Sequence, residues 1–252
     1  MNRIITYLSA LCVAIASLSA CQEEYVTYND AAFEIIWKVG FTITSYGGAL
    51  GQIFLNYNND FTYYYPDYVP AQWVLDLYPS NDLRYGAYFA TAQTGYPHQL
   101  QWPLLVKYYG NESFIQNALI YHVNMPKPLR LAEQYLIRAE AYCRKGQYSA
   151  GAADIAALRR ARCTGNASAS MNAGNWLQTI SDERVKELYM EGFRLHDLKR
   201  WNMGFKRTPQ AYTQKEGSSL EIAAGDPLFV WPIPINELEA PGAEILPNES
   251  NR

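Results

Sequence analysis

The residues that most constrain the fold of this chain form the stretch 181–201, in which apolar side chains recur at helical spacing. On a helical wheel, one arc collects Val185, Leu188, Tyr189, Gly192, Phe193 and Leu195. Ser181 is a suitable N-cap, and Asp182 and Glu183 would lie in the first turn, where the helix dipole favours acidic side chains. We therefore predict one continuous helix over residues 181–201, roughly 30 Å long.

The opposite arc of this predicted helix carries a row of acidic residues: Glu183, Glu187 and Glu191. Like charges four residues apart repel, so the row should lie in open water or face a basic partner. A short cluster of basic residues offers that partner: Arg159, Arg160 and Arg162. We expect the helix to be held on both faces, by apolar packing on one side and by these arginines on the other.

A catalytic or metal-binding interpretation has less support. A site built from Glu191, His196 and Asp197 would not converge, because positions 191 and 197 of a helix point about 120° apart. Asp60 and Asp67 could supply paired carboxylates for a glycosidase, but Asp in a loop rich in Asn, Tyr and Pro usually forms turns. His98, His122 and His196 do not have the spacing of metal ligands. We predict a protein that is not an enzyme and binds no metal or cofactor.

The N-terminus has the pattern of an export signal. Arg3 precedes an apolar run over residues 4–18, which is shorter than the roughly 20 residues that a membrane span needs. The run leads into the sequence LSAC, ending at Cys21, which looks like the cleavage site of a bacterial lipoprotein. We predict a signal peptide over residues 1–20, lipidation of Cys21 and a tether over residues 21–30. The alternative is an ordinary secretory signal followed by an incidental cysteine.

Residues 31–252 form one predicted domain, because this length suffices for a sizeable core without requiring two. The formal net charge of the chain is −3 and no basic run is present, so nucleic acid is not an expected partner.

Residues 132–165 have the spacing of a tetratricopeptide-type helical hairpin. The matching positions are Tyr135, Ala139, Tyr142, Gly146, Tyr148, Gly151, Ile155 and Leu158. Ala139 and Gly151 would let the two helices approach closely, and Gly146 would form the turn. Because one hairpin cannot bury its own apolar face, it should pack on the 181–201 helix. On the two arms, Cys143 and Cys163 would lie roughly 20 Å apart, so we expect two free, largely buried thiols.

The predicted fold is therefore mainly α, with a tetratricopeptide-like hairpin packed on a long helix, irregular aromatic-rich loops and a few short strands. The most aromatic loop covers residues 56–79, where Pro66 and Pro70 prevent a continuous helix. Sugars have apolar C–H faces that stack on aromatic rings, while Asn and Asp side chains form hydrogen bonds with sugar hydroxyl groups. Our candidate ligand-binding residues are Tyr63, Tyr64, Tyr65, Tyr68 and Trp73. The alternative is an irregular loop wedged against the core.

Four segments of the chain together resemble the SusD/RagB family. They are residues 128–148 (PLRLAEQYLIRAEAYCRKGQY), 157–162 (ALRRAR), 180–201 (ISDERVKELYMEGFRLHDLKRW) and 229–240 (FVWPIPINELEA). The pattern ER-x-x-EL-x-x-EG-x-R-x-x-DL-x-RW within the third segment is long and specific. The resemblance covers roughly residues 31–248, the C-terminal half of family members, and we expect the N-terminal repeat region of the family to be absent.

The resemblance implies a surface lipoprotein of Bacteroidetes that binds nutrients, typically glycans. Such proteins pass their ligand to a TonB-dependent, SusC-like transporter, which implies lipid anchoring to the outer membrane. Residues 22–24 resemble the acidic export tag of such lipoproteins, which favours the cell exterior. The resemblance does not supply the binding residues, which rest on the aromatic loop alone. Two alternatives remain, a lipid-anchored helical-repeat adaptor without a small ligand and a peptide-binding member of the family.

Overall fold

The computed structural model describes residues 34–40, 50–58, 63–95, 101–110, 124–207 and 221–251. The predicted signal peptide, Cys21 and the tether lie outside the described residues, as do Asp60, His98 and His122. The chain forms two compact units, one ending at Tyr189 and the other beginning at Met190.

Helices dominate the secondary structure, which confirms the predicted mainly α class. The helices are α1 (Gln52–Leu55), α2 (Gln72–Leu75), α3 (Leu83–Tyr88), α4 (Leu131–Arg144), α5 (Tyr148–Arg160), α6 (Trp176–Glu187), α7 (Arg194–Trp201) and α8 (Ile235–Leu238). The strands are β1 (Ile35–Trp37), β2 (Tyr57–Asn58), β3 (Tyr63–Tyr64), β4 (Phe89–Gln93), β5 (Gln101–Leu105), β6 (Leu129–Arg130), β7 (Phe205–Lys206) and β8 (Glu221–Ile222). Antiparallel two-stranded sheets pair β1 with β6, β2 with β3, β4 with β5, and β7 with β8.

Within the described ranges, no helix has both the length and the apolar character needed to cross a bilayer.

The hairpin of α4 and α5 confirms the predicted tetratricopeptide-like pair. Gly146 has φ 75° in the turn, a conformation that glycine adopts without steric cost. A Cβ atom on Gly151 would lie 2.6 Å from the Cys143 Sγ and 2.9 Å from the Ala139 carbonyl oxygen. The two helices therefore approach as closely as the small residues predicted. Cys143 is buried, Cys163 is half-buried, and both are free, as predicted.

The prediction of one continuous helix over residues 181–201 is wrong. Helix α6 begins at Trp176, so Ser181 is a buried residue in its middle rather than an N-cap. The helix ends at Glu187, and the backbone then has left-handed conformations at Met190 (φ 58°) and Gly192 (φ 90°) before α7 begins.

The end of α6 is fixed by cationic and hydroxyl donors that take the place of the next helical turn. The Glu187 carbonyl oxygen accepts from the Arg130 Nη2 at 3.0 Å and from the Tyr88 hydroxyl at 3.3 Å. The Lys107 Nζ donates to the Tyr189 carbonyl at 3.2 Å. Cations at a helix C-terminus are favoured by the dipole, and glycine at position 192 is a poor helix former. A helical wheel shows nothing of donors that come from distant parts of the chain, so the predicted helix was too long.

An aromatic and aliphatic core lies beside α6 in the first unit. Its buried residues are Phe54, Val74, Leu75, Tyr78, Phe89, Leu105, Val185 and Tyr189. Ring centroids of Phe89 lie 5.5 Å from those of Tyr78 and 5.6 Å from those of Tyr189, both in edge-to-face geometry. Through these contacts α6 supports the β4–β5 hairpin, which in turn carries the aromatic loop described below.

In the second unit, Phe229 is buried and its ring contacts that of Phe205 at a centroid distance of 6.4 Å. A 3₁₀ turn over Pro227–Phe229 begins with Asp226, whose side chain accepts from the Leu228 amide. A second 3₁₀ turn covers Glu249–Asn251.

Candidate functional site

The aromatic segment, residues 63–73, contains all five predicted ligand-binding residues. Its first part is β3, which pairs antiparallel with β2 and forms a parallel bridge from Tyr64 to Thr94 at the end of β4. The Gly95 amide donates to the Tyr64 carbonyl at 3.0 Å, which ties the segment to the β4–β5 hairpin. Tyr63 and Tyr64 are both half-buried.

Tyr65 packs against backbone rather than facing solvent alone. A Cβ atom on Gly95 would lie only 2.0 Å from the Tyr65 ring, so the ring rests directly on this glycine. The Tyr65 amide donates to the Asn56 carbonyl at 3.1 Å, and the Asn56 Nδ2 donates back to the Tyr65 carbonyl at 3.1 Å. Tyr65 is therefore fixed in place by neighbours on both sides of the segment.

Tyr68 is the most exposed of the five, at 61% of its full surface. Its backbone is nevertheless held, because the amides of Asp67 and Tyr68 donate to the Ile53 carbonyl at 2.9 and 3.3 Å. Pro66 and Pro70 on either side are buried and restrict the backbone further. Tyr68 thus presents an accessible ring on a backbone that is already ordered.

Trp73 is half-buried in α2 and packs against the aromatic core of the first unit. One face of this predicted binding residue therefore has a structural role. The Trp102 Nε1 donates to the Pro70 carbonyl at 2.9 Å, which anchors the segment just before α2. A ligand at Trp73 could reach only the part of the ring that the core leaves uncovered.

A pair of polar side chains beside the tyrosines was not predicted. Gln72 begins α2 and Asp76 follows its last residue; both are exposed, and the Gln72 Nε2 donates to the Asp76 Oδ1 at 2.7 Å. A spacing of four residues across a helical turn places the two side chains on one face. Together they offer the amide and carboxylate groups that bind hydroxyls.

Two acidic residues of the 181–201 stretch, Glu183 and Glu187, form the centre of a buried ion cluster. Arg84, fully buried, donates to the Asp82 Oδ2 and to the Glu183 Oε1, each at 2.7 Å, and to the Glu187 Oε2 at 3.0 Å. Glu187 Oε1 also accepts from Arg130 at 3.0 Å and from the Arg162 Nη2 at 3.1 Å. The row of glutamates does meet a basic partner, as predicted.

The predicted arginines are confirmed in part. Arg159 Nε donates to the Glu183 Oε2 at 2.8 Å, and Arg162 reaches Glu187 as described above. Arg160 is exposed, so its inclusion in the clamp is wrong. Glu191 is half-buried and follows the end of α6, so it does not continue the acidic row along one helix.

Sequence reasoning missed the cluster residues that come from elsewhere in the chain. Arg84 lies in α3 and Arg130 lies in β6, and both are far from α6 in sequence. Glu34 Oε1 joins Arg130 at 3.0 Å and Arg162 at 2.9 Å. The one local signal was Asp82, whose side chain caps α3 by accepting from the Arg84 amide.

Electrostatics within the ion cluster favour the charged forms. Burial by itself would raise the pKa of Glu187, but the charges of Arg162, Arg130 and Arg84 outweigh burial and hold the pKa well below its usual range. Burial opposes ionisation of Glu183 too, and Arg84, Lys186 and Arg159 lower its pKa in the same way. Both carboxylates are fully buried and bound on both oxygens, so the ion cluster has an architectural role.

The alternative catalytic grouping is not assembled either. His196 is exposed, while Asp197 is buried with its Oδ1 2.9 Å from the Arg200 Nε. Among the residues that the structure describes, no group of His, Cys, Asp and Glu side chains is arranged to hold a metal ion.

Residues 56–241 match the sequence model of the SusD family. Over 110 residues the chain is 36% identical to the starch-binding protein SusD of Bacteroides thetaiotaomicron, a match that covers 43% of this chain and 18% of that protein.

Solved structures show the same fold. A SusD superfamily protein from B. thetaiotaomicron has a TM-score of 0.66 at 19% identity, over 96% of this chain and 56% of that one. The surface glycan-binding protein A from Bacteroides fluxus has a TM-score of 0.56 at 20% identity, over 98% of this chain and 60% of that one. The chain therefore spans little more than half the length of these structural relatives.

Proposed function

Because the chain belongs to the SusD family, we propose that it is a non-catalytic protein that binds oligosaccharides through the aromatic segment. The starch-binding relative in B. thetaiotaomicron and the glycan-binding relative in B. fluxus support a carbohydrate ligand. The proposal keeps Tyr63, Tyr64, Tyr65, Tyr68 and Trp73 as the ligand-binding residues. Tyr68 and the half-buried rings of Tyr63 and Tyr64 are the principal stacking surfaces, while Tyr65 and Trp73 also hold the segment in place.

The order of the aromatic segment is the observation that carries this proposal. Its backbone is bonded to α1 through Ile53, to the end of β4 through Gly95 and to β5 through Trp102. A ligand that stacks on a ring held in this way need not bear the entropy cost of ordering the loop. Sugars gain affinity from flat aromatic faces, and Gln72 at the start of α2 and Asp76 just after its end would form hydrogen bonds with the hydroxyl groups.

The same proposal includes a place in the cell. The predicted signal over residues 1–20, with lipid on Cys21, would anchor the protein to the outer membrane, facing the exterior. The family resemblance supports a TonB-dependent transporter as the partner that receives the ligand. Conversion of the sugar is not part of the proposed function.

The proposal is tested by calorimetric titration of the purified chain carrying Cys21→Ser, which prevents acylation. The ligands are a series of starch-derived oligosaccharides, a series of β-linked oligosaccharides and a set of short peptides. We expect saturable binding to at least one oligosaccharide series. Tyr68→Ala should weaken that binding roughly tenfold, about 1.4 kcal/mol, because it removes an accessible stacking ring.

Tyr135→Ala is the matched control, because it removes a half-buried tyrosine from α4, outside the aromatic segment. It should leave the dissociation constant unchanged. Binding of peptides alone would transfer the function to the peptide-binding alternative. A folded protein that binds no member of the panel would favour the adaptor alternative and contradict the proposal.

A further inference from the structure

The last part of the second unit carries only negatively charged side chains. All ionisable side chains between positions 221 and 251 are acidic: Glu221, Asp226, Glu237, Glu239, Glu244 and Glu249. Glu221 forms an ion pair with Lys206 at 3.0 Å. Glu237, Glu239, Glu244 and Glu249 are exposed, and no ion pair joins any of these four to a cation in the described part of the chain. We call residues 226–251 the acidic segment.

The acidic segment also exposes large apolar side chains. They are Leu228 at 58%, Val230 at 48%, Trp231 at 80%, Ile235 at 59%, Ile245 at 49% and Leu246 at 81% of their full surface. Single exposed apolar residues are ordinary, but this many within one short segment mark an interaction surface. Phe229 in the same segment is buried and therefore holds it against the rest of the second unit.

Side-chain amides hold the acidic segment in one conformation. The Asn248 Nδ2 donates to the Trp231 carbonyl at 2.8 Å, which fixes the chain near Leu246 beside the chain at Trp231. Asn251 bonds both backbone groups of Ile233, accepting from its amide at 3.0 Å and donating to its carbonyl at 2.8 Å. The exposed side chains therefore project from an ordered backbone, which lowers the entropy cost of docking.

We propose that the acidic segment is a docking surface for a protein partner whose contacting face is apolar at its centre and basic around it. Trp231 and Leu246 would bury their side chains in that partner, since exposed tryptophans are frequent anchors of interfaces. The four exposed glutamates would meet Lys or Arg side chains, because charge complementarity steers association and selects the partner. This surface belongs to the second unit, whereas the aromatic segment belongs to the first, and the docking proposal is independent of the proposed sugar binding.

Charge also decides against the main alternative occupant. A lipid surface that exposes anionic headgroups would repel four uncompensated carboxylates, although it could accept the apolar side chains. A second copy of this chain brings the same acidic segment, so a symmetric contact through it would place like charges together. A basic protein face satisfies both the charge and the apolar surface.

The test uses three synthetic amphipathic helical peptides of equal length as probes. All carry the same leucine face, and their polar faces consist of Lys, Gln or Glu. Binding of dye-labelled peptide to the Cys21→Ser chain is followed by fluorescence anisotropy at low and high salt. We expect the Lys peptide to bind at least about tenfold more tightly than the Gln peptide at low salt, with the advantage shrinking as salt screens the charges.

Substitutions separate the two contributions. Trp231→Ala and Leu246→Gln, at exposed positions that should not affect folding, should each weaken the Lys peptide about tenfold. Replacing Glu237, Glu239, Glu244 and Glu249 together by Gln should remove the preference for Lys over Gln. Trp37→Ala is the control, because Trp37 is a comparably exposed tryptophan of the first unit, at 54%.

Several results would overturn the docking proposal. Equal affinity for all three peptides, no binding of the Lys peptide, or an equal loss in Trp37→Ala would each do so. Dimers of the chain that Trp231→Ala dissociates would identify a second copy as the occupant. A loss of oligosaccharide affinity in Trp231→Ala, with the Lys peptide unaffected, would make Trp231 a sugar-binding residue instead. The peptide and dimer results do not depend on whether the aromatic segment binds sugar.

Discussion

At the scale of single residues, Glu187 connects distant parts of the first unit through three arginines. Arg84 comes from α3, Arg130 from β6, and Arg162 from just after α5. Without the Glu187 charge, Arg84 would keep only Asp82 and Glu183, and Arg130 and Arg162 would share Glu34, so the buried positive charge would be only partly compensated. The cost of that change is much larger than the net value of the ion pairs themselves.

Glu187→Gln should therefore lower the free energy of unfolding by about 3–5 kcal/mol. Urea unfolding monitored by circular dichroism measures this change. Glu239→Gln is the matched control, since Glu239 is exposed and should change stability by no more than about 0.5 kcal/mol. Similar stabilities for the two variants would show that the ion cluster does not hold the fold.

The pKa values of the ion cluster predict a loss of stability in acid. The pKa of Glu187 and that of Glu183 are lower in the folded protein than in the unfolded chain, so the unfolded chain binds more protons as the pH falls. Their contribution is complete above the unfolded pKa of about 4.3 and is lost as the pH drops towards the depressed folded values. Unfolding measured between about pH 6 and pH 3 should show a steep decline for the parent chain.

Glu187→Gln should have a shallower decline over the same pH range, because it lacks one of the two depressed carboxyls. Parallel curves for the two proteins would mean that other groups cause the acid sensitivity.

Sequence reasoning at this scale found the charge row and two of its partners. Arg159 and Arg162 could be found because the family-like segment ALRRAR lies close to α6 in sequence. Arg84 and Arg130 could not, because they lie 103 and 57 positions from Glu187, and ion pairs over such separations leave no periodic pattern in the sequence. The exposure of Arg160 shows that proximity in sequence does not decide which side chain turns inward.

At the scale of secondary structure, the hairpin followed from the sequence and the long helix did not. The hairpin depends on local spacing and on small residues at fixed positions, which the sequence displays directly. The end of α6 depends on Arg130 and Lys107, which reach its last carbonyl groups from other elements. An amphipathic pattern indicates which residues face the core. Apolar residues that follow the end of a helix can continue that pattern although they are not helical.

Close approach of α4 and α5 gives a second stability prediction. Gly151→Ala should destabilise the protein by about 1–3 kcal/mol, because its Cβ would clash with the Ala139 carbonyl oxygen and the Cys143 Sγ. Thermal unfolding checks this change.

Gly86→Ala provides the opposite control, since Gly86 lies in α3 with open space around its Cβ position. Alanine has the higher helix propensity, so this variant should gain up to about 1 kcal/mol. Equal destabilisation by both substitutions would contradict the described helix contact.

At the scale of the whole molecule, the proposed function assigns stability and ligand binding to different residues. The ion cluster and the aromatic core hold the first unit together. The exposed part of the aromatic segment belongs to neither of them. The sequence indicated the tyrosines as candidate ligand-binding residues. It did not indicate which of the candidates also pack against the rest of the protein. Packing of Tyr65 on Gly95 and of Trp73 on the core becomes visible only in three dimensions.

We propose that the ion cluster supports the fold while the aromatic segment binds the ligand. The decisive experiment measures stability and oligosaccharide affinity for Glu187→Gln and Tyr68→Ala together, with affinity referred to the folded fraction. We predict that Glu187→Gln loses stability and keeps its dissociation constant, whereas Tyr68→Ala keeps its stability and binds roughly tenfold more weakly. Lost affinity in folded Glu187→Gln, with Tyr68→Ala unchanged, would contradict the claim.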